Sequence, residues 1–187
     1  ATHQCCEDLA LMGEIPGMVV IKPCDDVEAR AAVKAAYEYV GPVYLRFGRL
    51  AVPVLNDEST YKFEIGKGVK LKDGKDISIV ATGLCVSEAV KAVDMLAVDG
   101  IDAELINIHT IKPIDEDIIV ETAQKTGKVF TVEEHSIIGG LGSAVAEVLA
   151  EKCPTKLTRI GVRDRFGESG PAKELLHKYE LDAEGIY

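Results

Sequence analysis

The chain has 187 residues, 47% of them hydrophobic and 5% aromatic, with 21 Lys+Arg against 31 Asp+Glu and a formal net charge of −10. That length can bury the core of one domain or of one and a half, and the negative charge excludes general attraction to nucleic-acid backbones or anionic membranes. No apolar run of about 18 residues offers a membrane span, and the first residues lack the basic-then-apolar layout of a secretory signal, so a cytoplasmic protein is expected.

The opening stretch ATHQCCEDLALMGEIPG carries a helical pattern, with Leu9, Met12 and Ile15 at helical spacing, Thr2 in the N-cap position and Gly17 as the stop after Pro16. MVVIKP follows, a short β-branched run ended by Pro23 that reads as a buried strand. DDVEARAAVKAAYEYVG predicts a helix from the acidic cap at Asp25 and Asp26 to Gly41, with Val27, Ala31, Val33 and Tyr37 for its buried face. PVYLRF is a second strand. A β-α-β order implies parallel strands and a right-handed crossover, but two strands are too few for a stable sheet. The missing strands are expected upstream, so residues 1–50 read as the end of a larger α/β domain.

Residues 51–76 are polar and carry Pro53, Gly66, Gly68 and Gly74, with a weak alternation from Tyr61 to Val69. This is an interdomain linker with an extended end. Residues 77–187 then alternate regularly. The strands are ISIVATG, AELINIH, KVFTVEE and LTRIGV. The helices between and after them are VSEAVKAVDMLAVDG, with Val90, Val93, Leu96 and Ala97 on one face, DEDIIVETAQKTG capped by Asp115, GGLGSAVAEVLAEK and PAKELLHKYE. The pattern specifies an α/β fold with a mostly parallel, doubly wound sheet, preceded by a fragment of a second α/β domain.

In open α/β sheets ligands bind beyond the carboxyl ends of the strands, so the loops after strands are the places to search. Three hold unusual residues. His3, in THQ before a helix, stands where free N–H groups favour anions and an imidazole can donate to a sugar hydroxyl or phosphate; a plain surface histidine is the competing reading. Arg46 and Arg49 follow the PVYLRF strand with Gly48 between them, and guanidinium forks suit phosphate, although salt bridges to the many carboxylates account for them equally. TVEEHSIIGGLGSAVAE places Glu133, Glu134 and His135 at a strand end and Gly139, Gly140 and Gly142 before a helix. That resembles a phosphate-cradling turn but misses the dinucleotide fingerprint, and tight helix packing explains the glycines better. His109 and His177 read as structural. The five cysteines, at 5, 6, 24, 85 and 153, form no C-x-x-C pair and read as reduced thiols, Cys5 and Cys6 included.

Taken in order, THQ with EDLALM, IPGMVVIKPCD and PVYLRFGR resemble the last third of the pyrimidine-binding domain of transketolases. ISIVATG, TIKPID, TVEEHSIIGGLGSAVAE and RFGESGPAKELLHKYELDAEGI resemble the successive elements of that family's C-terminal domain. The resemblance implies transfer of a two-carbon ketol unit between sugar phosphates by an enzyme using thiamine diphosphate and a divalent metal, Mg or Ca. It assigns a catalytic and substrate-binding role to His3, phosphate binding to Arg49, and a neighbouring substrate contact to Arg46. It also implies that the cofactor and metal are held by an N-terminal part or subunit, that no cofactor or metal residue falls in this chain, and that the chain alone is inactive. A homodimer is expected, with the apolar helix Leu141 to Leu149 in interface or core. Two alternatives stand beside this reading: a related thiamine enzyme, either a deoxyxylulose phosphate synthase or a 2-oxoacid dehydrogenase beta subunit, and a non-catalytic assembly or regulatory module.

Overall fold

The computed structural model describes residues 5–187, and its first strand is where the two parts of the chain meet. Strand β1 (Val19–Ile21) is buried along its whole length, as its β-branched run requires. It follows the short helix α1 (Asp8–Gly13) and leads into α2 (Asp26–Glu38). Asp25 caps α2 by accepting the Glu28 N–H. Its other oxygen accepts the N–H groups of Leu55 and Asn56, each at 2.8 Å, so the same side chain fastens the start of the long connection.

Strand β2 (Val43–Leu45) lies parallel to β1, as the β-α-β order predicts. The other side of β1 is taken not by an earlier segment but by β6 (Thr110–Lys112), from the TIKPID turn, running antiparallel. Among the described residues the order of this sheet is β2-β1-β6. Lys112 also donates from Nζ to the carbonyls of Gly13, the last residue of α1, at 2.6 Å, and of Ile15 just beyond it, at 2.8 Å.

The second sheet has the order β3-β5-β4-β7-β8. Its strands are β3 (Val69–Lys72), β4 (Ile77–Ala81), β5 (Ala103–Asn107), β7 (Lys128–Ser136) and β8 (Lys156–Val162). Four run parallel and β3 closes one edge antiparallel to β5. The helices are α3 (Cys85–Val98), α4 (Glu116–Thr126), α5 (Leu141–Lys152), α6 (Ala172–Lys178) and α7 (Ala183–Ile186).

Because side chains alternate along a strand, Ile79 and Leu105 join Val93 and Leu96 of α3 on one face, while Val80 and Ile106 join Ile119 of α4 and Leu141, Val145 and Leu149 of α5 on the other. Helices therefore cover both faces of a doubly wound sheet, and the apolar stripe of α5 is core. Leu9 and Val20 from the first part of the chain enter that second core, so the two sheets share packed side chains. Among the described residues no helix is long and apolar enough to cross a membrane.

Three local readings differ. The buried face of α2 is Val27, Glu28 and Ala32, while Val33 and Tyr37 stand 49% and 90% exposed. A buried carboxylate on that face, described below, turns the helix away from its most apolar stripe. Ala97 of α3 is exposed. Residues 69–72, placed in the linker by their polarity, form an edge strand, whose outer side can remain polar.

Candidate functional site

The crevice beyond the carboxyl ends of β4 and β7 is filled by the first part of the chain. Lys22, directly after β1, is 1% exposed. Its stem lies against Gly83 in the loop after β4, where φ of +58° and the closeness of that stem both require glycine. Its Nζ lies 3.4 Å from the carbonyl oxygen of Glu134 and 3.8 Å from its carboxylate. Burial, and then Arg46, push the Lys22 ammonium below its ordinary pKa, with Glu134 pulling the other way.

Arg46 completes this cluster. Its Nε donates to Asp8 Oδ2 at 2.8 Å, one Nη to Glu134 Oε2 at 3.3 Å and the other to the Cys5 carbonyl at 2.8 Å. Tyr44 donates to the same Asp8 oxygen at 2.8 Å. Burial opposes charge on both partners, yet Asp8 and Glu134 hold the guanidinium above its usual pKa, and Arg46 with Tyr44 hold Asp8 below the usual carboxylate range. Tyr44 is itself pushed up to about 12, first by burial and then by Asp8.

The expectation that Arg46 touches substrate meets a guanidinium turned inward onto three acceptors, with 13% of its side chain exposed. The acids at positions 8 and 134, remote in sequence, are what consume it. Arg49 lies exposed just beyond β2. His3 lies outside the described residues.

The glycine turn before α5 is closed by the protein's own anion. Glu133, fully buried, accepts the Leu141 N–H at 2.7 Å and the Gly142 N–H at 2.8 Å, one with each oxygen. A Cβ at Gly140 would run into this carboxylate. The helix N-terminus that an external phosphate would use is therefore satisfied internally, which is the packing reading of these glycines. Burial pushes Glu133 up to about 7 against those two N–H groups. His135, also fully buried, accepts the Leu9 N–H on Nε2 at 3.2 Å, with Nδ1 at 2.7 Å from the Ser136 carbonyl.

A second buried carboxylate was not legible in the sequence. Glu28 accepts the Cys24 N–H at 2.6 Å, Asn107 Nδ2 at 2.8 Å and the Tyr61 hydroxyl. Burial raises its pKa despite those bonds. In sequence it is one more acid in a helical first turn, and only the tertiary contacts to positions 61 and 107 distinguish it. His109 stacks on Phe63 at 4.2 Å and meets Thr110 Oγ1 at 2.9 Å, with burial pushing it down to about 4, which fits a structural role. All five cysteines are free thiols.

These residues build no site for a diphosphate and its metal. The glycine turn is occupied by Glu133, the junction cluster has its charges paired internally, and the one group of side chains able to converge on a metal among the described residues, His177, Asp182 and Glu184, stands at the α6–α7 corner, where His177 pairs with Asp182 at 2.7 Å.

Residues 66–186 match the family model for the transketolase C-terminal domain, and residues 1–54 match that for the transketolase pyrimidine-binding domain. The chain belongs to the transketolase family, whose members are thiamine-diphosphate enzymes. It is 50% identical over its whole length to a Methanocaldococcus jannaschii protein named for a transketolase C-terminal section, covering 58% of that protein. It is 46% identical over 99% of its length to a 6-deoxy-6-sulfo-D-fructose transketolase subunit of Clostridium sp., covering 57% of that protein. A solved split-gene transketolase, described as an inactive beta4 tetramer, superposes with a TM-score of 0.95 at 49% identity over 99% of this chain and 60% of its own. The chain thus spans just under three-fifths of the first of these relatives. A 1-deoxy-D-xylulose-5-phosphate synthase of Syntrophotalea carbinolica is 40% identical over 99% of the chain and 30% of the synthase.

Proposed function

We propose that this chain is the C-terminal part of a thiamine-diphosphate-dependent transketolase moving a two-carbon ketol unit from a ketose phosphate to an aldose phosphate. The observation that carries the reading is the tandem order of the two matched regions, 1–54 and 66–186, together with a core that Leu9 and Val20 share across them. In a protein of net charge −10, a sugar phosphate needs a local cation. Arg49, exposed beyond β2, is assigned as the phosphate-binding fork, and His3 as the imidazole that contacts the reacting sugar. Arg46 belongs to the same mouth by holding it together: its donors fix Cys5 and Asp8 against β2.

The reading includes a partner, an N-terminal transketolase part or subunit that holds thiamine diphosphate with Mg or Ca, a homodimeric assembly, a cytoplasmic location, and inactivity of this chain by itself. The test uses the assembled enzyme. A ketose phosphate donor should give two-carbon transfer and pyruvate should give none. Arg49→Ala should raise KM for the donor roughly tenfold or more, since charge-assisted bonds to phosphate are lost. Turnover of pyruvate with an aldose phosphate would move the chain to the synthase branch, which its 40% identity to a synthase keeps in view.

A further inference from the structure

Helix α1 starts without a side-chain cap from its own sequence. Its Leu9 N–H, one of the amides a helix leaves open at its start, donates instead to His135 Nε2, 126 residues further along the chain. The other ring nitrogen faces the Ser136 carbonyl at 2.7 Å. A carbonyl only accepts, so Nδ1 carries the proton and Nε2 keeps its lone pair. Two more contacts join the same segments. The Ser136 N–H donates to the Cys6 carbonyl at 2.7 Å, and Gly139, at φ +74°, lies so close to Ala10 that a Cβ there would meet the alanine methyl at 2.5 Å.

We propose that His135 is a proton-operated latch on α1: neutral, it caps the helix and holds it on the end of β7, and protonated, it releases the cap because imidazolium has no acceptor. The facing groups set the direction. Asp8 on α1 favours the cation; Glu133 on β7 has Oε2 3.7 Å from Nδ1, but its own raised pKa leaves it protonated in acid, and the neighbouring Glu134 is engaged by Lys22 and Arg46. Lys22 after β1 and Arg46 after β2 oppose it, as does the positive end of α1. Burial is the largest influence and lowers the imidazole pKa, with the Ser136 bond and Asp8 pulling it up and Arg46 and Lys22 adding to the lowering. A group whose folded pKa is depressed contributes its stability above the unfolded value and loses it as pH falls through the folded one. The latch is therefore closed at neutral pH and opens in acid.

Amide hydrogen exchange at Leu9 in the whole chain, corrected for intrinsic rates between about pH 8 and about pH 4.5, tests this without reference to the reaction. In the unsubstituted chain Leu9 protection should fall about tenfold or more on acidification, the size of one lost hydrogen bond, while Val80 and Val132 in the central strands keep theirs. His135→Gln, which offers a non-titrating acceptor at nearly the same reach, should keep Leu9 protected throughout. His135→Ala should lose that protection at every pH; should this variant not fold, the first two proteins decide alone. The proposal is overturned if Leu9 follows the central strands across the range. It is overturned equally if the pH dependence survives in His135→Gln, which would assign it to Glu133.

Discussion

Arg46 and Arg49 leave the same strand end three residues apart, and the fold puts them in opposite settings. The Arg46 N–H continues the ladder by donating to the Ile21 carbonyl at 2.9 Å, and its side chain meets Asp8 and Glu134 in a largely buried setting. Past Gly48 the chain has left the sheet, and Arg49 is exposed. The two share residue type and charge. What separates them is whether carboxylates from remote parts of the chain arrive where the solvent has been removed. A buried guanidinium without such partners would not be tolerated, so the inward arginine organises the junction while the outward one stays open to solvent.

The largest test breaks the inward side. Arg46→Ala leaves Asp8 without its cation and Glu134 with only Lys22, 3.8 Å away, and should cost about 3–5 kcal/mol in urea unfolding. A loss under about 1 kcal/mol would show that the cluster is not what holds the junction.

Next come the inward titrating groups. His109, pushed down to about 4, has a folded pKa below its unfolded one, so its contribution is present above about pH 6.5 and is lost toward pH 4, about 3 kcal/mol in all. Glu133, raised to about 7, runs the other way: its contribution is present below about pH 4.5 and is lost as pH rises to 7. The two offset one another over nearly the same window. His109→Asn should therefore gain stability relative to the unsubstituted chain as pH is lowered from about 6.5 to 4, and a flat difference in urea midpoints would remove His109 from the account.

The smallest effect belongs to the outward arginine. Arg49→Ala should change unfolding free energy by less than about 0.5 kcal/mol, so that any loss it causes in the assembled enzyme is a loss of binding. A large destabilisation would return Arg49 to the same structural class as Arg46.

How much of this was legible in the chain varies by kind of signal. The strands VVI and ISIVA, the caps at Asp25 and Asp115 and the alternation of strand and helix after residue 77 are local, set by β-branching, short polar side chains and period, and each appears in the fold. The glycines at 139, 140 and 142 signal close packing in the sequence, but that Gly139 meets Ala10, Gly140 meets Glu133 and Gly142 meets Arg159 and Thr131 depends on the strand running to Ser136 and turning back.

Sequence by itself determined the α/β class, the doubly wound order and the family resemblance, because periodicity and motif order survive without knowledge of contacts. Only the tertiary structure decided that the third strand beside β1 comes from residues 110–112, that Arg46 faces inward, and that Glu28, Glu133 and His135 lie buried with partners. Each of those depends on which distant groups share a space from which water is excluded. There the energy of a charge or an open amide turns on neighbours tens of residues away, and no local pattern records them.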